Sequence, residues 1–111
     1  MILEFRTYRL KPGSSEDFLR VMREDSLPLL ETAGLRVIDY GRSLVAEDGQ
    51  EEAYLIRAFD SLEEHERQER EFYSCEAWLK GPREAIVSRI ESYHTIVIET
   101  SEAAVEALRR R

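Results

Sequence analysis

The stretch EFRTYRLK, residues 4–11, alternates in the manner of a β-strand and decides which fold the rest of the chain completes. Successive side chains of a strand point to opposite faces of the sheet, so every second residue shares a face. One row, which begins one residue earlier, is mainly apolar and consists of Leu3, Phe5 and Thr7. The other row carries an acid, a base and a phenol, which are Glu4, Arg6 and Tyr8. The pattern predicts a strand whose polar row either meets solvent or lines a polar cavity.

A helix is predicted between Ser14 and Gly34. Ser14 with Asp17 three residues later is typical of a capping box, and apolar residues then recur at helical spacing along one stripe. Pro28 lies inside this helix and removes the hydrogen bond that its amide would donate to Glu24. We therefore expect a kink or a short second segment there.

Two strands follow, from Leu35 to Ala46 and from Ala53 to Phe59, joined by the turn-forming pair at residues 48–49, Asp-Gly. Ser61 and Glu64 form a capping box that begins a very polar second helix. Only a thin stripe of this helix can face inward, and it runs through Leu62, His65, Glu69 and Phe72.

The last third of the chain completes the pattern. Pro82 takes the favoured first position of a third helix, Tyr93 to Glu99 reads as a strand, and Ser101 begins a short terminal helix. The order β-α-β-β-α-β plus a tail predicts an α+β, ferredoxin-like fold with a four-stranded antiparallel sheet and helices on one face. The 111 residues are expected to form a single domain, 1–111.

Composition excludes several classes of protein. A net charge of −7 argues against a nucleic-acid partner, because phosphate binding needs a basic stripe and the only basic cluster is the run Arg109 to Arg111. That run suits the negative end of a helix dipole. No apolar run is long enough to predict a transmembrane helix or a signal peptide, so no membrane partner is expected. The single cysteine, Cys75, cannot form an internal disulfide, which favours a reducing, cytoplasmic location.

Four stretches together resemble the NIPSNAP family, a branch of the dimeric α/β-barrel superfamily. They are ILEFRTYRLKPG (2–13), LPLLETAG (27–34), FYSCEAWLKGPRE (72–84) and ESYHTIVIET (91–100). The resemblance covers nearly the whole chain and implies a ferredoxin-like fold in a homodimer whose two sheets pair into a barrel. It implies no particular reaction. Relatives in the wider superfamily include cofactor-independent monooxygenases, isomerases and haem enzymes, an analogy at the level of fold.

Within this fold we expect the helices to cover the face that carries Leu3 and Phe5. The core beneath the sheet should then include further apolar side chains from the helices, namely Phe18, Met22, Leu30, Ile86 and Ile90. The polar row of Glu4, Arg6 and Tyr8 would line the interior formed by two paired sheets.

This polar row is the first candidate ligand site. Arg6 would hold an anionic or carbonyl oxygen while Tyr8 donates a hydrogen bond, and Glu4 lies close enough to pair with Arg6. The alternative is a structural ion pair across a dimer interface. Arg57, on the third strand, is a candidate for the same space, although the sequence does not fix the hairpin register. Tyr40 is expected to form part of the pocket wall.

His94 is the second candidate, because a neutral imidazole can act as an acid or base near pH 7. Tyr8 and His94 are thus the candidate catalytic residues, although a lone histidine on an apolar face is more often a hydrogen-bonded core residue. His65 has no second histidine or cysteine at ligand spacing. We therefore expect no metal and no cofactor.

Two functions remain open on the sequence. The first is a homodimer that binds a small, partly aromatic organic ligand, with any chemistry being cofactor-free proton transfer, isomerisation or oxygenation. The second is a non-catalytic dimeric module that recruits a partner protein. An interior cavity of a few hundred cubic ångströms with convergent polar groups would favour the first function.

Overall fold

An antiparallel sheet of four strands forms the centre of the protein. The structure is a computed structural model that describes residues 1–109, so the predicted basic helix end at Arg110 and Arg111 lies outside the described residues. The strands are β1 (Ile2–Leu10), β2 (Arg36–Arg42), β3 (Glu52–Phe59) and β4 (Ile90–Glu99). The helices are α1 (Ser15–Val21), α2 (Leu27–Thr32), α3 (Leu62–Ser74), α4 (Glu76–Lys80), α5 (Arg83–Val87) and α6 (Glu102–Leu108).

The strands lie side by side in the order β2-β3-β1-β4, and each neighbouring pair is antiparallel. This is the arrangement of two split βαβ units, which confirms the predicted α+β, ferredoxin-like fold. Helices α1 to α5 pack on one face of the sheet, which we call the helix face. The tail helix α6 packs on the opposite face, which we call the open face, where its Val105 is fully buried.

The first helical region is interrupted, as the proline predicted. Residues Met22–Ser26 form a π-helical segment, and the amide of Leu27 bonds the carbonyl of Met22 five residues earlier. Pro28 then occupies the first turn of α2, where its missing amide hydrogen costs no helical bond. The break lies just before the proline, so a short second helical segment, α2, follows it.

Two boundaries differ from the predicted ones. Strand β2 ends at Arg42, and a 3₁₀ turn at Glu47–Gly49 with positive φ at Asp48 (56°) and Gly49 (72°) leads to β3. The turn residues were therefore correctly identified, but the loop around them is longer than a tight hairpin. Strand β4 begins at Ile90, earlier than predicted. The Ser61 cap of α3 is confirmed, since its side chain accepts a hydrogen bond from the Glu64 amide over 3.1 Å.

The assignment of the two faces of β1 was wrong. Leu3 packs on the open face with Ile38, Ala58 and Val105, and Phe5 packs against the same group. The polar row of β1 lies on the helix face instead. Burial of its charges is compensated because partners of opposite charge reach it from β3 and α3. The apolar row lies on the open face instead, where helix α6 covers part of this row and shields it from water.

The predicted helix-side core is otherwise present. The side chains of Phe18, Met22, Leu30 and Ile86 are buried in one cluster, and Ile90 packs against it. On the open face, β4 leaves Ile96 and Ile98 at 53% and 41% exposure. Among residues 1–109, no helix combines the length and the apolar composition that a bilayer crossing requires.

Candidate functional site

A buried ion pair between two strands forms the base of the candidate site. Glu4 of β1 lies directly opposite Arg57 of β3, and both side chains are fully buried. Arg57 Nε donates a hydrogen bond to Glu4 Oε1 over 2.7 Å, and Arg57 Nη2 lies 2.6 Å from the same oxygen. The pair is held by the β-ladder, so its geometry is fixed by backbone pairing as well as by charge.

Helix α3 places three polar side chains over this pair, at a spacing of four residues. They are His65, Glu69 and Tyr73. Because residues four apart share a helix face, all three can reach the sheet. His65 Nε2 lies 3.1 Å from Glu4 Oε2, and Glu69 Oε2 forms an ion pair with Arg57 Nη2 over 3.0 Å. Together with the strand residues they form what we call the ionic cluster: Glu4, Arg6, Arg57, His65, Glu69 and Tyr73.

Arg6 is almost completely occupied within the ionic cluster. Its Nε donates to Thr95 Oγ1 over 3.2 Å. Its Nη2 contacts Glu69 Oε1 over 3.2 Å and Glu4 Oε2 over 3.4 Å. Its Nη1 donates to the Tyr73 hydroxyl over 3.3 Å. The guanidinium group of Arg6 is therefore already bonded to two carboxyl groups, so it would bind an anionic ligand less strongly than a free arginine would.

The two carboxyl groups of the cluster titrate differently. Burial alone would raise the pKa of Glu4, but its hydrogen bond with Glu69 and the neighbouring guanidinium charges lower it from 4.5 to about 2. Burial raises the pKa of Glu69 to about 7, and the hydrogen bond with Glu4 acts in the same direction. Near neutral pH, the Glu4 carboxylate is therefore ionised, whereas the Glu69 carboxyl group is present in both its protonated and its ionised form.

Three members of the cluster are grouped in a way that resembles a metal site. Ligand atoms of Glu4, His65 and Glu69 all lie within 4.8 Å of one another. However, each carboxylate already contacts both Arg6 and Arg57. A metal ion would enter beside two positive charges, so the grouping fits an ionic network better than a metal centre.

A cavity of about 430 Å³ lies next to the cluster, between the sheet and the helices. Its inner wall is buried, apolar and aromatic, and includes Met22, Leu30, Leu55, Phe72, Trp78 and Ile86. Arg6 and Tyr73 bring the ionic cluster to one part of this wall. The exposed lining residues Arg83, Val87 and Tyr93 mark its rim.

Two hydroxyl-bearing residues line the cavity, and one of their hydroxyls is buried without a partner among the residues that the structure describes. Ser26 is 2% exposed, and its Oγ has no hydrogen-bond partner among residues 1–109. It ends the π-helical segment, a type of distortion that is frequent at functional sites. Tyr8 also lines the cavity, and burial raises the pKa of its hydroxyl above the ordinary value. Buried polar atoms usually have partners, so the Ser26 hydroxyl indicates where a polar group of a ligand would bind.

The structure brings together some of the predicted site residues and separates others. Arg6 and Tyr8 line the cavity, whereas Glu4 and Arg57 lie behind it in the ionic cluster. Tyr40 packs against the main core but does not line the cavity. The prediction that His94 shares this cavity was wrong.

His94 is paired with Thr7, and both lie on the open face. The cavity lies on the helix face of the sheet, whereas the sequence predicts it on the face away from the helices. Alternation along β4 shows the reason, since Tyr93 and Thr95 point to the helix face and contact Arg6. A histidine between them must point away.

Several site residues were missed from the sequence. The sequence did indicate that Glu69 and His65 face inward, because both lie on the inward stripe predicted for α3. Nothing in the sequence indicated Tyr73 and Ser26, since their role depends on which helices meet the polar row of β1.

Comparison with known proteins places the chain among relatives of the same fold. The family model described as NIPSNAP matches residues 3–102. An uncharacterized NIPSNAP domain protein from Burkholderia xenovorans has a TM-score of 0.78 at 19% identity, covering 92% of this chain and 96% of that one. A NIPSNAP family protein with unknown function from Agrobacterium tumefaciens has a TM-score of 0.80 at 24% identity, covering 91% and 88% of the two chains. The comparison with curated proteins gives no match.

Proposed function

The chain belongs to the NIPSNAP family, and we propose that the cavity between its sheet and its helices binds a small organic ligand. The ligand would have an apolar, partly aromatic body and a polar oxygen. The observation that carries this proposal is a cavity of about 430 Å³ with an unpartnered, buried Ser26 hydroxyl in its wall. Ligand sites in proteins are typically apolar clefts of about 300–1,000 Å³ with a few convergent polar groups.

The chemistry of the wall supports this kind of ligand. Phe72 and Trp78 lie 5.5 Å apart between ring centroids and provide flat surfaces against which an aromatic ring can pack. The hydroxyls of Tyr8 and Ser26 supply neutral hydrogen-bonding groups. A ligand with an apolar body and one oxygen would satisfy both kinds of surface.

Any reaction at this ligand stays a prediction from relatives in the wider superfamily, namely cofactor-free proton transfer, isomerisation or oxygenation. Of the two candidate catalytic residues, Tyr8 lines the cavity and His94 does not. Tyr8 is therefore the candidate that could contact the ligand, and because burial raises its pKa its hydroxyl would stay protonated and act as a hydrogen-bond donor.

The experiment is a thermal-shift screen with small aromatic alcohols, ketones and acids against three proteins. They are the wild type, Val87→Trp and Leu44→Trp. Val87 lies on the rim at 42% exposure, so a tryptophan there should narrow the entrance, whereas Leu44 is fully exposed and does not line the cavity. We expect a compound that raises the melting temperature of wild type and Leu44→Trp but has little effect on Val87→Trp. A screen in which every compound leaves wild type unchanged would contradict the proposal.

We also propose that the protein forms a homodimer through the open face of the sheet. Ile96 and Ile98 are half-exposed there beside Phe5, an apolar strip that solvent disfavours. A dimer is compatible with ligand binding and is equally the basis of the alternative function, a non-catalytic module that recruits a protein. The cytoplasmic location and the lack of nucleic-acid and membrane partners stay predictions from composition.

A further inference from the structure

The hydroxyl group of Tyr73 is bonded in an unusual way. Arg57 Nη1 donates to it over 2.8 Å, and Arg6 Nη1 donates to it over 3.3 Å. A phenolic oxygen has two positions that accept hydrogen bonds and one hydrogen that it can donate. Both accepting positions are therefore taken by guanidinium groups, and only the O–H hydrogen remains available.

That hydrogen has no acceptor in the described part of the chain. Neither Glu4 nor Glu69 accepts a hydrogen bond from the Tyr73 hydroxyl, although both carboxyl groups pair with Arg6 and Arg57. Tyr73 also lines the cavity. The free O–H donor of Tyr73 thus belongs to a residue of the cavity wall, from which it can be offered to a ligand oxygen.

From this geometry we propose that Tyr73 donates a hydrogen bond to the carbonyl oxygen of the ligand, and that the cavity selects carbonyl compounds with an apolar or aromatic body. This inference rests on the proposed function and specifies its ligand class. Tyr73 is then a specificity-determining residue. Two guanidinium donors fix its ring and polarise its O–H bond, because hydrogen bonds in a chain strengthen one another.

A neutral carbonyl fits the inner cavity better than a carboxylate does. Above the raised pKa of Glu69, which is about 7, the charges of Arg6 and Arg57 are balanced by Glu4 and Glu69, so at pH 8 an added anion would lack a free cation in the inner wall. The transfer of a full charge from water into a cavity with apolar walls costs much more free energy than the transfer of a carbonyl group that gains one hydrogen bond there. The exposed Arg83 at the rim lies in solvent contact and does not change this balance.

The test compares 4-phenyl-2-butanone with butylbenzene, a hydrocarbon of similar shape that lacks the oxygen. Binding is measured by calorimetry to wild type, Tyr73→Phe and Tyr54→Phe at pH 8. Tyr54 is the matched control, since its hydroxyl bonds Asp39 away from the cavity. We expect Tyr73→Phe to lose about tenfold in affinity for the ketone while the affinity for butylbenzene stays unchanged. Tyr54→Phe should bind both compounds as wild type does.

A second measurement keeps the hydroxyl, in case Tyr73→Phe fails to fold. Incorporation of 3-fluorotyrosine at position 73 makes the phenol a stronger donor, so the infrared carbonyl stretch of bound, carbonyl-labelled ketone should move to lower wavenumber than in wild type. An unchanged stretch, or a Tyr73→Phe variant with full ketone affinity, would overturn the inference and leave ligand binding intact. Failure of wild type to bind either compound would overturn the inference together with its premise.

Discussion

Glu4 and Arg57 face each other across the β1–β3 ladder with both side chains fully buried, and a 2.7 Å hydrogen bond joins them. Two opposite charges are thus removed from water at the centre of the sheet. Such a pair gives little net stability compared with an apolar pair, but the loss of one partner leaves an uncompensated buried charge. The pair therefore acts as a constraint on the sequence, since neither residue can change alone.

Replacement of Glu4 by glutamine should destabilise the fold strongly. The side chain keeps its shape but loses the charge that balances Arg57, so we expect the free energy of unfolding to fall by about 3–5 kcal/mol. Urea unfolding followed by circular dichroism measures this change. Glu52→Gln is the control, because Glu52 is partly exposed and lies 3.7 Å from Arg9. A loss for Glu4→Gln no larger than that of the control would contradict the prediction.

Stability should fall as the pH rises towards neutrality because of Glu69. Its pKa is raised from 4.5 to about 7 in the folded protein, so the folded state holds a proton that the unfolded chain has released. The contribution is complete below pH 4.5 and is lost as the pH rises through about 7. The charged and titratable groups that surround this carboxyl group are those of Glu4, Arg6, Arg57 and His65, so they experience the negative charge that Glu69 gains when it loses its proton.

Glu69→Gln, which imitates the protonated form, should lack this dependence. We expect wild type to lose about 2–4 kcal/mol relative to the variant across that range. Urea unfolding at a series of pH values gives the difference. Parallel curves for the two proteins would show that the carboxyl group does not hold the proton.

Truncation of Phe18 to alanine should cost about 3–5 kcal/mol of unfolding free energy. Its side chain is 1% exposed and packs on the Tyr8 ring with 5.1 Å between ring centroids. Leu44→Ala, at a fully exposed loop position, should change the stability by less than about 0.5 kcal/mol. Chemical denaturation separates the two variants, and a Phe18→Ala loss below about 1 kcal/mol would mean that this part of the core can collapse around the missing ring.

An acidic residue in the exposed strip of β4 should prevent the proposed dimer. Ile96→Asp places a charge in the centre of the face that would be buried, where desolvation is costly. Light scattering at micromolar concentration should give twice the monomer mass for wild type and the monomer mass for the variant. Leu79→Asp, at a half-exposed position on α4, is the control and should remain dimeric. A monomeric wild type would exclude this dimer.

Local chemistry explains which parts of the fold could be predicted. The Ser61 cap, the interruption near Pro28 and the alternation of β1 all depend on near neighbours in the chain, and all are present. The face assignment failed because alternation separates two rows of side chains without identifying the row that becomes covered. Leu3 and Phe5 are the more apolar row, so they were assigned to the helices.

The partners that reversed this assignment lie far away in the sequence. Glu4 and Arg6 tolerate burial because Arg57, Glu69 and Tyr73 surround them. None of these contacts has a spacing that a single sequence reveals. The same applies to Ser26, whose position in the cavity wall depends on the π-helical segment that it ends.

The π-helical segment of Met22–Ser26 holds one residue more per turn than an α-helix does. Its extra residue is absorbed locally, so the apolar stripes of α1 and α2 still point to the same core. A deletion of the exposed Asp25 would therefore be expected to restore regular α-helical hydrogen bonding and to move the Ser26 hydroxyl relative to the cavity. The polar group in the cavity wall is thus tied to a single exposed position of the chain.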